Sequence, residues 1–195
     1  MANINWSKFR ISFNSPAVLG FAALCACSYI LGILTGGASN RLLFSVYRSP
    51  LFSPFTWLRF VTHVFGHSSW DHLIGNLMLL LILGPMLEEK YGSKALLVVM
   101  LTAALVTGIL HFVLFPGTRL MGASGVVFAF ILLSSFTGDN NGAIPLTFIL
   151  VAVLYAGQQL HQAFTGAGSI SYLAHLAGGL VGAFFGFIAG GISLR

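Results

Sequence analysis

Long apolar runs separated by short polar or glycine-rich breaks dominate this chain. A helix that crosses about 30 Å of hydrocarbon needs about 20 such residues. The first run, Pro16–Thr35, carries no charge. It is too long for a signal peptide, and no small-residue cleavage site with a soluble domain follows it. A mixed connector extends from about Gly36 to Asp71, with Phe52, Phe55, Trp57, Phe60, Phe65 and Trp70 set among Arg41, Arg48 and Arg59. Amphipathic aromatics beside arginine suit a segment lying in the membrane interface. Further runs follow at about His72–Leu87, ended by Glu88-Glu89-Lys90, and at Ala95–Phe115, closed by Pro116-Gly117. The last three are Gly122–Thr137, ended by Gly138–Gly142, then about Ala143–Leu160 and Ser171–Ile192. The pattern predicts six transmembrane helices and a long interfacial first loop. Residues 1–15 form an N-terminal segment and residues 16–195 a single helical membrane domain.

Composition removes the soluble alternatives. Of 195 residues, 57% are hydrophobic and 7% charged, against roughly 25% charged in a soluble domain. Disordered chains are charge-rich and apolar-poor, the opposite pattern. The net charge of +5 comes from nine Lys and Arg scattered without a basic run, which argues against nucleic acid as a partner. Cys25 and Cys27 share one apolar run and suggest neither a disulfide framework nor a zinc site. The 23 glycines suit close helix packing in lipid. An even number of spans puts both termini on one side. Charge barely chooses that side: Lys8, Arg10, Lys90, Lys94 and Arg195 lie on one face against Arg41, Arg48, Arg59 and Arg119 on the other.

The fourth run is short. Its 16 residues rise about 24 Å, so the helix starts below a membrane surface. Irregular backbone at that depth is tolerated only where protein or a water-filled cavity surrounds it. The start reads Gly122-Ala123-Ser124-Gly125. A helix start leaves N–H groups without intrahelical partners, and these can stabilise a developing oxyanion. Ser124 is therefore either a nucleophile or a small packing and capping residue. His175, in Ala174-His175-Leu176-Ala177-Gly178, is either a base or an interhelical hydrogen-bonding group. His175, Gly178 and Gly182 share one helix face, and Gly122, Gly125 and Ala129 share another. If these small-residue stripes face each other, the histidine comes within reach of the serine hydroxyl, as nucleophilic catalysis requires.

Asp71, Glu88, Glu89 and Asp139 are the four acids, all at or beyond the ends of the runs. A Ser-His dyad is thus the economical arrangement. His72 and Asn76, at i and i+4, offer hydrogen-bond donors suited to an oxyanion hole, or else join helices. His63 and His67 have the same spacing, which can bind zinc, but the glutamate of a His-Glu-x-x-His motif is missing. Structural hydrogen bonding is the better reading, with no metal site. His111 and His161 lie near the ends of their runs and read as interfacial.

Together these residues resemble the rhomboid family of intramembrane serine proteases. Gly122-Ala123-Ser124-Gly125 resembles its nucleophile motif, and Ala174–Gly178 continuing to Gly182 its base motif. His72-Leu73-Ile74-Gly75-Asn76 resembles its His-x-x-x-Asn element, and His63 and His67 its two upstream histidines. Arg59–His63 resembles the end of its first loop, and Glu88 with Gly92-Ser93 the end of its second span. A glycine-framed serine is weak evidence alone, since the Gly-x-Ser-x-Gly elbow marks soluble hydrolases, but the Gly-Ala-Ser-Gly here opens a membrane helix. Two positions depart from the pattern. Phe128 stands where many members carry a tyrosine that stacks on the base, and Leu58 separates Trp57 from Arg59. The resemblance implies a six-helix bundle with a cavity open to the extracytoplasmic side. It implies cleavage of transmembrane protein substrates without metal or cofactor, by Ser124 and His175, with Asn76 and His72 at the oxyanion. It also implies a multi-pass protein of the bacterial inner membrane with both termini cytoplasmic. A catalytically inactive rhomboid-like protein that binds membrane clients is the first alternative. A small channel or transporter lined by Ser, His and Asn is the second.

Overall fold

A computed structural model describes residues 12–137, 143–165 and 169–189. The Gly138–Gly142 break and the last residues of the sixth run lie outside them. Among the described residues the protein is helical, with one isolated antiparallel bridge between Val46 and Leu120. Helix α1 spans Pro16–Leu34, and proline at its first turn needs no N–H donor there. No side chain from Ser15 caps it. Instead the Glu88 carboxylate accepts hydrogen bonds from the Ala17 N–H (2.9 Å) and the Val18 N–H (3.0 Å). The Ser93 hydroxyl donates to the same carboxylate at 2.6 Å. Glu88 is therefore buried and placed where a negative charge meets the positive end of a helix. The sequence pattern had marked it only as the end of a run.

Gly36 and Gly37 take positive φ after α1 and turn the chain into the short α2, Ala38–Leu42. The connector continues to α3, Pro54–Thr62, and a 3₁₀ turn at His63–Phe65. It has two characters. Phe52, Phe55, Trp57 and Trp70 are exposed, as an interfacial face requires, whereas Arg59 is buried. Its guanidinium finds neutral acceptors: the Tyr47 hydroxyl at 3.0 Å, Ser49 Oγ at 2.7 Å and Thr56 Oγ1 at 3.3 Å. It also lies 4.3 Å from the centre of the Tyr47 ring. Loop 1 is thus folded around an arginine.

Helix α4, Trp70–Leu114, is a 45-residue run broken at Gly92, where φ is 80° and ψ 154°. The second and third apolar runs are its two arms, and helix continues through Glu88-Glu89-Lys90 up to the break. At Gly84 the first arm accepts the Val18 side chain of α1; a Cβ there would lie 2.7 Å from both Val18 methyls. Helix α5, Ser124–Ser134, has 11 residues, fewer than the sequence run suggested, and rises about 16 Å. Gly125, Val126, Val127, Ala129 and Phe130 are all buried, as expected of a helix that is apolar all round. Helices α6 (Leu146–Thr165) and α7 (Ser169–Ala189) follow. Three helical segments, Pro16–Leu34, Trp70–Leu114 and Tyr172–Ala189, are long and apolar enough to cross a membrane; Ser124–Ser134 and Leu146–Gln158 are shorter apolar helices.

The contact of α5 with α7 is backbone on backbone. A Cβ on Gly178 would overlap the Gly125 carbonyl, and one on Gly182 would overlap the Ala129 carbonyl. The two pairs advance in the same order, so the helices run parallel and begin at the same end of the bundle. The small-residue stripes do face each other, which lipid-embedded helices need in order to approach closely.

Candidate active site

The loop before α5 is pinned from two sides. Val46 and Leu120 exchange N–H to carbonyl bonds of 2.9 and 3.0 Å, and the Gly122 N–H donates to the His63 carbonyl at 2.9 Å. Arg48 holds the end of α4 nearby, donating to the Phe112 carbonyl at 3.0 Å and the Val113 carbonyl at 2.9 Å. Gly122 has φ +131°, and a Cβ there would come within 2.7 Å of the His72 ring. Both conformation and space therefore demand glycine. The first helical turn follows, with the Val127 N–H on the Ala123 carbonyl at 2.9 Å. The Ser124 N–H belongs to the turn that lacks intrahelical acceptors.

On one side of this helix start stand His72 and Asn76, from the first turns of α4. The Ser69 hydroxyl caps α4 by accepting from the His72 N–H at 3.1 Å, and Ser68 Oγ lies 3.2 Å from His72 Nδ1. Asn76 Nδ2 lies 4.0 Å from the point a Gly122 Cβ would occupy. It donates to the His72 carbonyl at 2.9 Å and contacts His67 Nε2 at 3.2 Å. On the other side stands His175. Its ring packs on Phe128, centroids 4.5 Å apart at 42°, and meets Tyr172 at 6.4 Å. Phe128 is one turn beyond Ser124 and so shares its face. Tyr155 of α6 backs Phe128 at 4.4 Å, a support the sequence did not signal.

The structure thus gathers Ser124, Gly122, His72 and Asn76 at the start of α5, with His175 packed on Phe128 one turn further along the same face. His63 and His67 are both buried behind them. His63 Nδ1 lies 3.1 Å from the Arg59 carbonyl and its Nε2 3.3 Å from Thr107 Oγ1; His67 Nδ1 lies 3.0 Å from the Phe65 carbonyl. Burial pushes the pKa of each down to about 4, so both are neutral near pH 7. Their ring nitrogens are engaged by protein groups. His111 is buried near the end of α4, with Nε2 3.3 Å from the Thr118 carbonyl of the loop. His161 is exposed. A groove of about 670 Å³ between α1 and the second arm of α4 is lined by apolar residues such as Phe21, Leu24 and Leu97. It contains none of the site residues.

An all-helical chain with apolar helices and a glycine-flanked serine at a buried helix start is the class of protein defined here. The Rhomboid domain model matches residues 54–192, and the chain belongs to the rhomboid family. It is similar to Rhomboid protease GlpG of Yersinia pseudotuberculosis serotype I (strain IP32953), 32% identical over 178 residues, covering 88% of this chain and 62% of the relative. It is similar also to Rhomboid-related protein 1 of Caenorhabditis elegans, 32% identical over 139 residues, covering 67% and 39%. Rhomboid-like protein 11, chloroplastic, of Arabidopsis thaliana is 28% identical over 140 residues, covering 65% and 50%. The chain therefore spans between about two fifths and three fifths of the length of these relatives. Family membership and the apolar helices make it an integral membrane protein.

Proposed function

We propose that this protein is an intramembrane serine endopeptidase in which Ser124 is the nucleophile and His175 its general base. The observation that carries the reading is the seating of α7 on α5. Gly178 rests on the Gly125 backbone while the His175 ring packs on Phe128, one turn from Ser124. In this mechanism Ser124 Oγ attacks the scissile carbonyl carbon and His175 takes the hydroxyl proton. The carbonyl π electrons move onto oxygen. Collapse of the tetrahedral intermediate breaks the C–N bond, and His175 returns the proton to the leaving amine. A water then attacks the acyl-enzyme, giving its proton to His175, and the ester bond breaks as His175 passes that proton to the leaving Ser124 Oγ.

The Ser124 N–H, the Asn76 amide and the His72 ring are the oxyanion donors in this reading. Asn76 has two amide hydrogens, and in the resting structure both have acceptors, the His72 carbonyl and His67 Nε2. Sharing one of them with the oxyanion is part of the catalytic step. His72 presents its Cε1–Nε2 edge to Gly122, the residue two before the nucleophile.

The substrates are transmembrane segments of other proteins, in which helix-breaking residues free the scissile bond to reach Ser124. No metal or cofactor takes part, and nucleic acid is not a partner. Six crossings by α1, the two arms of α4, α5, α6 and α7 put both termini on the cytoplasmic side, in a bacterial inner membrane. Residues 16–195 act as one domain after a cytoplasmic segment 1–15. Fluorophosphonate labelling of the detergent-solubilised protein tests this directly. Labelling of wild type that vanishes in Ser124→Ala is expected, because only an activated serine reacts. An unlabelled, folded wild type would leave a client-binding rhomboid-like protein instead.

A further inference from the structure

His67 holds no place in the chemistry above, yet it is buried against the group that does. Its Nδ1 faces the Phe65 carbonyl at 3.0 Å. A carbonyl only accepts, so Nδ1 carries the proton and donates. In the neutral ring this leaves Nε2 with a lone pair. That lone pair points at Asn76 Nδ2, 3.2 Å away. The Asn76 Nδ2 also donates to the His72 carbonyl at 2.9 Å. Two acceptors therefore act on one end of the Asn76 amide, and they select which end it is.

That selection matters because of where Nδ2 lies. It is 4.0 Å from the Cβ position of Gly122, two residues before Ser124. With the amide as found, its donor end, Nδ2, is the end beside the loop that leads into the nucleophile. With the amide turned over, Oδ1 would take that place and set a lone pair against any negative charge developing there. The turned amide would also put an oxygen against the His67 lone pair and the His72 carbonyl. We propose that His67 is a positioning residue of the active site: its Nε2 lone pair locks the Asn76 amide with the donor end toward the oxyanion position. The Phe65 carbonyl fixes the tautomer that makes this possible. Ser68 fastens the other neighbour, with its Oγ 3.2 Å from His72 Nδ1, while the His67 and His72 rings meet edge to face at 5.0 Å. Burial keeps the His67 ring neutral, which preserves the lone pair.

This rests on the reading of Asn76 as an oxyanion donor. A double-mutant cycle on kcat separates the two. Wild type, His67→Phe, Asn76→Ala and the double variant are purified and assayed on a fluorescently tagged single-span substrate. His67→Phe keeps a planar ring but has no lone pair to offer. Its kcat is expected to fall about tenfold with KM unchanged, since the lost interaction acts in the transition state. In the Asn76→Ala background the same substitution is expected to change kcat less than twofold. His67→Gln, which restores an acceptor oxygen, is expected to retain more kcat than Phe. Should His67→Phe fail to fold, His67→Leu, which likewise offers no acceptor, takes its place in the cycle. A loss of equal size in both backgrounds overturns the positioning role and leaves the Asn76 assignment standing. Wild-type kcat in Asn76→Ala overturns both.

Discussion

Gly178 of α7 rests on the backbone of Gly125 of α5, so closely that a methyl group at 178 would overlap the Gly125 carbonyl. Everything proposed for the dyad depends on this contact. Ser124 precedes Gly125, and His175 lies almost one turn before Gly178. Gly178→Ala is expected to lower thermal stability by about 1–3 kcal/mol through overpacking. It is expected to lower cleavage on the order of 10²-fold through displacement of His175. Gly157 on α6, where a Cβ meets nothing within 4 Å, supplies the control. Gly157→Ala should keep wild-type cleavage and melt no lower. Equal losses in the two variants, by melting curves and initial rates, would detach the dyad from this helix contact.

Ser124→Ala and His175→Ala should each abolish cleavage while leaving the melting temperature within a few degrees of wild type. Asn76→Ala should lower kcat by roughly 10²–10³ if its amide serves the oxyanion. Single-turnover assays with purified protein would decide. More than a few per cent of wild-type cleavage in Ser124→Ala would defeat the assignment of the nucleophile.

Glu88 is expected to matter for stability and not for chemistry. It accepts from the Ala17 and Val18 N–H groups at the start of α1 and from the Ser93 hydroxyl beside the Gly92 break. Glu88→Ala leaves these donors buried without an acceptor, at a cost of about 2 kcal/mol. The measurable outcome is a lower melting temperature with unchanged kcat per folded molecule. A melting temperature equal to wild type would mean that water replaces the carboxylate without loss.

Acid should destabilise the protein through the connector. His63 and His67 are held at about 4, below the ordinary 6.5. As pH falls below 6.5 the unfolded chain takes up protons that the folded chain refuses, so stability declines from 6.5 down to about 4. Melting curves between pH 7 and pH 4.5 should show this decline. Its slope should be shallower in His67→Phe, which has one such group fewer. An unchanged slope would remove His67 from the effect.

Apolar run length was enough to place α1 and both arms of α4, because lipid leaves a spanning segment no other way to satisfy its backbone. The facing of the small-residue stripes was legible for a similar reason: glycine and alanine at i, i+3 and i+7 mark where a helix can be approached closely. Less was legible in the connector. Arg59 looked like a partner of interfacial aromatics, but its acceptors, the Tyr47, Ser49 and Thr56 hydroxyls, come together only when loop 1 folds back on itself. Glu88 looked like the end of a span because its partners are N–H groups some 70 residues earlier, carried by backbone rather than by any residue type. The partner of His111, the Thr118 carbonyl, was hidden for the same reason.

Membership of a helical membrane class was thus decided by the sequence alone, since apolar runs of these lengths are stable only in lipid. So were the identities of the serine, the histidines and the asparagine at issue. Which way each points was decided by the tertiary structure. Parallel packing of α7 on α5 sets His175 against Phe128, and the pinned loop at Gly122 brings the start of α5 to His72. The His72 carbonyl and the His67 lone pair together orient the Asn76 amide. A backbone carbonyl is an acceptor that every residue carries, so no sequence pattern reveals which one a side chain meets, and these hydrogen bonds exist only once the chain has folded.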